Sequence, residues 1–279
     1  LTPQERFYYN APIRKTKEAT SPKSIQEAIE KLEHTYEEAR RVETSFTSSK
    51  TERARVEQER EGAYQKLRKL LQDHIKKTEQ SVRATYQEVE RLHDPEIQSF
   101  FSGPTTKQKE QALDDYVTAV TSLLKLQSAL DHQERKNQYE KRSLPLEQQI
   151  REEEIIKKIE EANQEDYLKW VRLSPPEKKN QISDLKKLEK AARKKAYSAL
   201  DEKISDCWES SASSLGSASN ALEKALKAEA EGKQEIATLW KNAATQYQVA
   251  PNSYQQATEA FFQGDPEKGE LFRSAANAA

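Results

Sequence analysis

The chain has 279 residues, of which 34% are hydrophobic and 33% are charged, and its mean hydropathy is −1.03. A globular core usually needs about 45% apolar residues, so this composition excludes a thick core and favours thin seams between helices. The 46 basic and 47 acidic side chains leave a net charge of −1, which provides no global attraction to nucleic acid or anionic lipid. No apolar run approaches the roughly 18 residues of a membrane span, and the single Cys207 excludes an internal disulfide.

Residues 1–23 are predicted to be an irregular lead-in, because three prolines interrupt them and no apolar period is present. The chain begins at Leu1 and contains no methionine. We therefore expect an excised piece of a longer protein, from which any targeting signal would be missing.

A long helix is predicted from Ser24 to about His93. Ser24 and Glu27 have capping-box spacing, and apolar residues then recur in steps of three and four, the seam spacing of a left-handed coiled coil. The seam includes Ile25, Leu32, Tyr36, Val42, Phe46, Val56, Leu67, Val82 and Leu92. Whether the helix is continuous stays open, and the polar patch from Thr44 to Arg55 marks the place where it would break.

Three more helices follow, over 106–142, 146–172 and 177–215. The first has a cap of Thr105 and Gln108, and it holds the most apolar stretch of the chain. Its polar second half, Asp131 to Arg142, is expected to project or to lie on the surface. The second carries Leu146, Ile150, Ile155, Ile159, Tyr167 and Trp170 at seam spacing, and the third starts at a cap of Ser174 and Glu177.

The last two of these helices have opposite charge. Residues 147–166 contain eight acidic and three basic side chains, and residues 176–203 contain nine basic and five acidic ones. The sequence therefore predicts that the two helices form an antiparallel hairpin. The alternative is a site for phosphate or acidic lipid at the basic cluster, which includes Lys186, Lys187, Lys190, Arg193, Lys194 and Lys195.

Residues 216–279 contain a repeat with a period of 32 residues. The shift aligns Ala225 with Ala257, Ala228 with Ala260, Gly232 with Gly264, Leu239 with Leu271, and Trp240 with Phe272. One shift earlier is fainter, and it aligns Ile204 with Ile236 and Trp208 with Trp240. Alanines allow close helix approach, glycine ends a helix with a left-handed residue, and the Leu–aromatic pair is expected to fill the gap between stacked hairpins.

The pattern Ala-x-x-Ala, Gly-x-x-Glu and Leu-Trp-x-x-Ala-Ala over Ala225 to Ala244 resembles the alanine-rich helical repeats of chlamydiae and chlamydia-like bacteria. The resemblance covers about residues 217–279. It implies a role in secretion or as an effector in a host cell, and it carries no binding residues over to this chain.

No pattern of catalytic or ligand-binding residues is present. The four histidines are scattered, and one Glu-x-x-His, Glu90 to His93, is too little for a di-iron bundle, which needs two. Gly-rich phosphate loops and nucleophile elbows are absent from the sequence. Cys207 lies on an apolar stripe beside Trp208, so a small packed side chain is the expected role. The sequence predicts no catalytic residue, no cofactor and no metal.

The sequence therefore predicts an all-α protein with three regions: the lead-in at 1–23, a long-helix coiled-coil or bundle region at 24–215, and helical-hairpin repeats at 216–279. The predicted function is a non-enzymatic scaffold for protein–protein interaction. The resemblance of the repeat implies a narrower role, that of a bacterial secreted, effector-like protein that binds a host or bacterial protein. A membrane-surface or curvature-sensing helical protein and, behind it, an enzyme are the alternatives.

A protein partner is expected, self-association is possible, and nucleic acid is not expected as a partner. Two surfaces are expected to bind the partner, the interrupted seam at Thr44–Arg55 and the polar stretch Asp131–Arg142. The individual partner-binding candidates are Trp170, Trp208, Trp240, Lys186, Lys190, Arg193 and Lys194. Secretion into a host cell is implied by the resemblance alone, and the cytoplasm is the other expected location.

Overall fold

A computed structural model describes residues 22–98 and 103–278. These residues are helical throughout apart from short connections, so the predicted all-α fold is confirmed. The helices are α1 (Pro22–Thr44), α2 (Lys50–Leu92), α3 (Pro95–Gln98), α4 (Thr106–Lys141), α5 (Leu146–Val171), α6 (Pro175–Ser198), α7 (Glu202–Ala230), α8 (Gln234–Tyr247), α9 (Ala250–Phe262) and α10 (Pro266–Ala278). The predicted lead-in lies outside the described residues except for its last two positions.

The chain divides into two compact units. Among the described residues, the first unit combines 22–82 with 121–160, and the second combines 83–98 and 103–120 with 161–278. The sequence-based boundary between 215 and 216 falls inside α7, which continues to Ala230.

The first unit is a helical bundle around an apolar cluster. Leu32 and Tyr36 of α1, Leu67 and Leu71 of α2, and Leu126 of α4 form its buried centre. Ion pairs between the helices define their directions: the pairs Arg68–Glu134 and Glu61–Lys141 place α2 antiparallel to α4. The pairs Glu33–Lys136 and Arg40–Glu140 place α1 parallel to α4.

The long helix predicted from Ser24 is broken at the predicted place. α1 ends at Thr44, and the turn that follows is closed by the Ser48 hydroxyl, which donates to the carbonyl of Val42 at 2.8 Å. Helix α1 begins at Pro22, so Ser24 lies within its first turn and does not cap it. Phe46, predicted to lie in the seam, is fully exposed in the turn.

Two predictions for the first unit are wrong. The polar half of α4 is not a projecting surface, because Gln133, Asn137 and Glu140 are buried. The predicted α5 seam residues Leu146, Ile150, Ile155 and Ile159 are each more than half exposed. The reason is that α5 packs on α4 through polar side chains: Gln149 is buried and donates to the Glu140 carboxylate at 3.3 Å, and Arg135 pairs with Glu153 and Glu160.

In the second unit α6 packs antiparallel to α7. Lys186 pairs with Glu223, and Arg193 pairs with Glu209 at 2.7 Å. The predicted pairing of 147–166 with 176–203 is therefore wrong for these cations. The predicted single helix over 177–215 is also wrong, because Asp201 caps a new helix by accepting from the backbone N–H of Ile204 at 3.1 Å.

The 32-residue repeat is a structural repeat. Gly232 and Gly264 have φ of +72° and +76°. In both turns the N–H after the glycine donates to a buried alanine carbonyl five residues earlier, Ala228 at 2.8 Å and Ala260 at 3.0 Å, which is a Schellman motif. The break between α6 and α7 lies one period of 32 residues before the turn at Gly232.

The expected role of the Leu–aromatic pair is only half met. Trp240 and Phe272 are half-buried, whereas Leu239 and Leu271 are 69% and 68% exposed. The leucines therefore do not fill a gap between the hairpins of this chain.

Candidate interaction surfaces

The three predicted tryptophans have different environments. Trp170 is buried, and its indole Nε1 donates to Glu229 Oε2 at 2.9 Å. Trp208 and Trp240 are half-buried, and each carries a lysine on its ring face, Lys195 and Lys224 respectively, with Nζ 4.1 Å from the ring centroid. Trp170 is therefore a core residue, and the other two are accessible.

A buried polar cluster joins four helices in the second unit. Its members, here the Glu229 cluster, are Tyr116 of α4, Trp170 of α5, Lys178 of α6 and Glu229 of α7. The Tyr116 hydroxyl donates to Glu229 Oε1 at 2.8 Å, and Lys178 Nζ lies 3.0 and 3.1 Å from the two carboxylate oxygens. Beside it the Tyr167 hydroxyl donates to the side-chain carbonyl of Gln234 in α8.

The Glu229 cluster is closed to solvent. The Lys178 and Glu229 side chains are 3% and 0% exposed. Burial, and then the negative charge of Glu229, raise the pKa of Tyr116 well above its ordinary value, so the hydroxyl stays a neutral donor. All three side chains that donate to Glu229 come from within the unit, which fits a structural role for the Glu229 cluster.

The predicted basic residues Lys186, Lys190, Arg193 and Lys194 lie along one side of α6, because they are spaced by three or four residues. Lys186 and Arg193 pair with Glu223 and Glu209 of α7. Lys190 and Lys194 are exposed. The structure therefore places the four residues on one side of α6, where carboxylates of the same chain neutralise two of them.

An open groove of about 360 Å³ lies beside Trp208, between α6, α7 and the start of α9. We call it the Trp208 groove. Its apolar lining includes Leu185, Leu188, Ala192, Trp208, Leu215 and Pro251, and the amide side chains of Gln248, Asn252 and Gln255 supply hydrogen-bonding groups. Leu188 is 54% exposed although it faces this groove.

A second groove, of about 540 Å³, lies between α4 and α5 in the first unit. Leu146 and Ile150 lie beside its charged wall, in which Glu153 binds His132 and Arg135 at 2.7 and 2.8 Å. Burial alone would raise the pKa of Glu153, but the hydrogen bonds from Arg135 and His132 outweigh it and lower the pKa. The stretch predicted at 131–142 thus contributes to a groove, although four of its twelve residues are buried.

Sequence reasoning missed the Glu229 cluster, although one signal was present. The 32-residue shift aligns Glu229 with Phe261, so a carboxylate occupies a position that the next hairpin fills with an aromatic ring. A charged residue at a core position of a repeat requires a buried partner.

No family model, curated protein or solved structure matches this chain. In residues 22–98 and 103–278, no group of three His, Cys, Asp or Glu side chains is placed to hold a metal ion. Within the same ranges, every helix is too short or too polar to cross a membrane.

Proposed function

We propose that this chain is a non-enzymatic scaffold for protein–protein interaction and that the Trp208 groove is a docking site. The observation that carries the proposal is an accessible tryptophan at the side of an apolar groove, with the exposed Leu188 next to it. Tryptophan in such a position is typical of the anchor residues that dominate binding energy. The groove between helices suits a helix or an extended segment with one or two apolar side chains.

The composition of the groove indicates the chemistry of the partner. Its lining combines leucine, alanine and proline with uncharged amides, and its one lysine, Lys195, lies on the Trp208 ring. We expect an apolar side chain of the partner to contact Leu188 and Trp208, and a polar backbone or amide to bond the glutamines. The resemblance of residues 217–279 to chlamydial repeats supports a narrower proposal, a secreted effector-like protein with a host or bacterial partner.

A membrane surface has less support as the partner. Anionic headgroups would need several free cations on one face. Lys186 and Arg193 already have carboxylate partners, so the attraction of this side of α6 to anionic headgroups is reduced.

The test is capture of partners with matched surface variants. Bacterial and eukaryotic lysates are passed over the wild-type chain, over Leu188→Asp and over Leu271→Asp, which changes a more exposed leucine outside the groove. The proposal expects a protein that the wild type and Leu271→Asp retain and that Leu188→Asp loses. Capture of no protein, or equal capture by both variants, would refute docking at the groove.

A further inference from the structure

Helix α8 presents an apolar stripe to solvent. Ile236, Leu239 and Tyr247 are 44%, 69% and 44% exposed, and Ala243 lies between them at helical spacing. Steps of three, four and four residues place all four on one face. We call this face the α8 stripe. A contiguous apolar face on a helix of a chain with 33% charged residues calls for an explanation.

The structural repeat contains a covered version of the same stripe. One period earlier the positions are Ile204, Cys207, Ser211 and Leu215 on α7, and the last three are buried. Cys207 is packed against Ala250, Tyr254 and Ala257 of α9 and Ala276 of α10. In this chain a helical hairpin therefore lies on the face of α7 that corresponds to the α8 stripe, so this face of the repeat is built to receive helices.

The sequence of the α8 stripe is complementary to itself in the antiparallel direction. If two α8 helices cross a twofold axis near residues 241 and 242, Leu239 lies opposite Ala243 of the second copy, and Ile236 lies opposite Tyr247 of the second copy. Large residues then face small ones at the centre of the contact, which is how closely packed helices interdigitate. A twofold contact uses the same patch on both copies, as an isologous interface requires.

Charge does not oppose this contact. Among the ionic side chains of α8 itself, the one nearest the axis is Lys241, which is 12% exposed and binds Asp166 at 2.8 Å and the Thr245 hydroxyl at 2.7 Å. The lysine is thus held toward its own chain, and two copies would not bring free ammonium groups together.

We propose that the α8 stripe is a self-association surface, on which two copies of this chain pack with their α8 helices antiparallel. The contact uses no residue of the Trp208 groove and does not depend on the proposed scaffold function. One helix of 14 residues buries less than the roughly 800 Å² per partner of a stable complex. The dimer is therefore reversible and forms with increasing concentration.

Sedimentation velocity over a wide concentration range tests the proposal. The wild type should shift from 32.1 kDa toward twice that mass, whereas Leu239→Asp should weaken association by more than about tenfold, since the charge enters the contact twice. Leu271→Asp is the matched control, because this leucine is equally exposed at the equivalent repeat position but has Lys268 where α8 has Ile236. It should associate like the wild type. Circular dichroism checks that both variants keep the helical content.

Disulfide trapping tests the geometry. Leu239→Cys with Ala243→Cys should give a covalent dimer under mild oxidation, and Leu271→Cys with Ala275→Cys should not. Cys207 is buried, so it does not compete. A wild type that stays monomeric at every concentration would overturn the proposal. Equal loss of association in Leu239→Asp and Leu271→Asp, or association without trapping, would overturn it as well.

Discussion

The substitution Lys178→Met tests the Glu229 cluster directly, because it removes a buried cation and keeps a side chain of similar length. Glu229 would lose the contacts at 3.0 and 3.1 Å and keep the donations from Tyr116 and Trp170. Removing one partner of a buried ion pair typically costs about 3–5 kcal/mol, since the other charge stays in the interior. We expect a loss of about 3 kcal/mol, at the low end, because two neutral donors remain.

A double-mutant cycle separates the ion pair from the loss of the individual side chains. Glu229→Gln alone should cost about as much as Lys178→Met, because it leaves the ammonium without a carboxylate. The double variant should lose about 2 kcal/mol less than the sum of the single losses, since no uncompensated charge remains. Lys187→Met is the control: Lys187 pairs with Asp184 on the exposed side of α6, and its loss should stay below about 0.5 kcal/mol.

Urea unfolding measures these free energies. The fluorescence of the three tryptophans, which include Trp170 of the Glu229 cluster, reports on the packing of the second unit, and far-ultraviolet circular dichroism reports on the helices. Single losses that add within about 0.5 kcal/mol would refute the reasoning, because they would mean that the two buried groups are not coupled. A loss for Lys187→Met equal to that for Lys178→Met would refute it too, because burial would then not set the cost.

Three further predictions follow from local features. Gly264→Ala should destabilise the chain by about 1–2 kcal/mol, because its φ is +76° and the added methyl group makes no contact that would offset the strain. Gly62→Ala, in the interior of α2 with free space around it, should stabilise the chain by about 0.5–1 kcal/mol. Thermal unfolding that gave both changes the same sign would contradict this pair. The Ser174 hydroxyl and backbone N–H lower the pKa of Glu177 below 4.5, so its capping contribution is complete above that pH and is lost as pH falls through the lowered value. Glu177→Gln should therefore destabilise by about 0.5–1 kcal/mol at neutral pH and by less in acid, as melts at both pH values would record. The folded-state pKa of Tyr116 is raised above 10.0, so its neutral hydroxyl contributes fully to the stability of the fold below that pH. The free energy of unfolding should fall as the pH rises further. Tyr116→Phe should make this fall shallower in urea titrations at alkaline pH, and an unchanged slope would contradict the assignment.

The helices and their ends could be predicted because their signals are local. Caps such as Ser174 with Glu177, the glycine turns and the prolines act within a few residues of the chain. The missed break at 199–201 had a comparable signal, because Leu200 occupies the repeat position of Gly232 and Asp201 is a helix cap. For this helix break, the 32-residue repeat was a better indicator than the spacing of the apolar residues.

The pairing of helices could not be predicted from charge. Surface ion pairs are worth a few tenths of a kcal/mol, whereas α6 buries Ile182, Leu185, Ala192 and Ala196, which is worth more. The buried neighbours of Trp170 were equally hidden, because its partner Glu229 is 59 residues away in the sequence. The candidates Trp208 and Trp240 were recognised as large anchors, but nothing in the sequence distinguished them from Trp170.

The continuity of α7 has a consequence for how the repeats open. This helix serves as the second helix of one hairpin and the first helix of the next, passing through Gly216 without a break. One period later Pro251 stands where α7 has Ser219, and proline has no backbone N–H to continue a helix. At this place α8 ends at Tyr247 and α9 begins at Ala250. The first two hairpins therefore share a helix and should exchange their amide hydrogens as one cooperative unit, while the α9–α10 hairpin can open locally and exchange first.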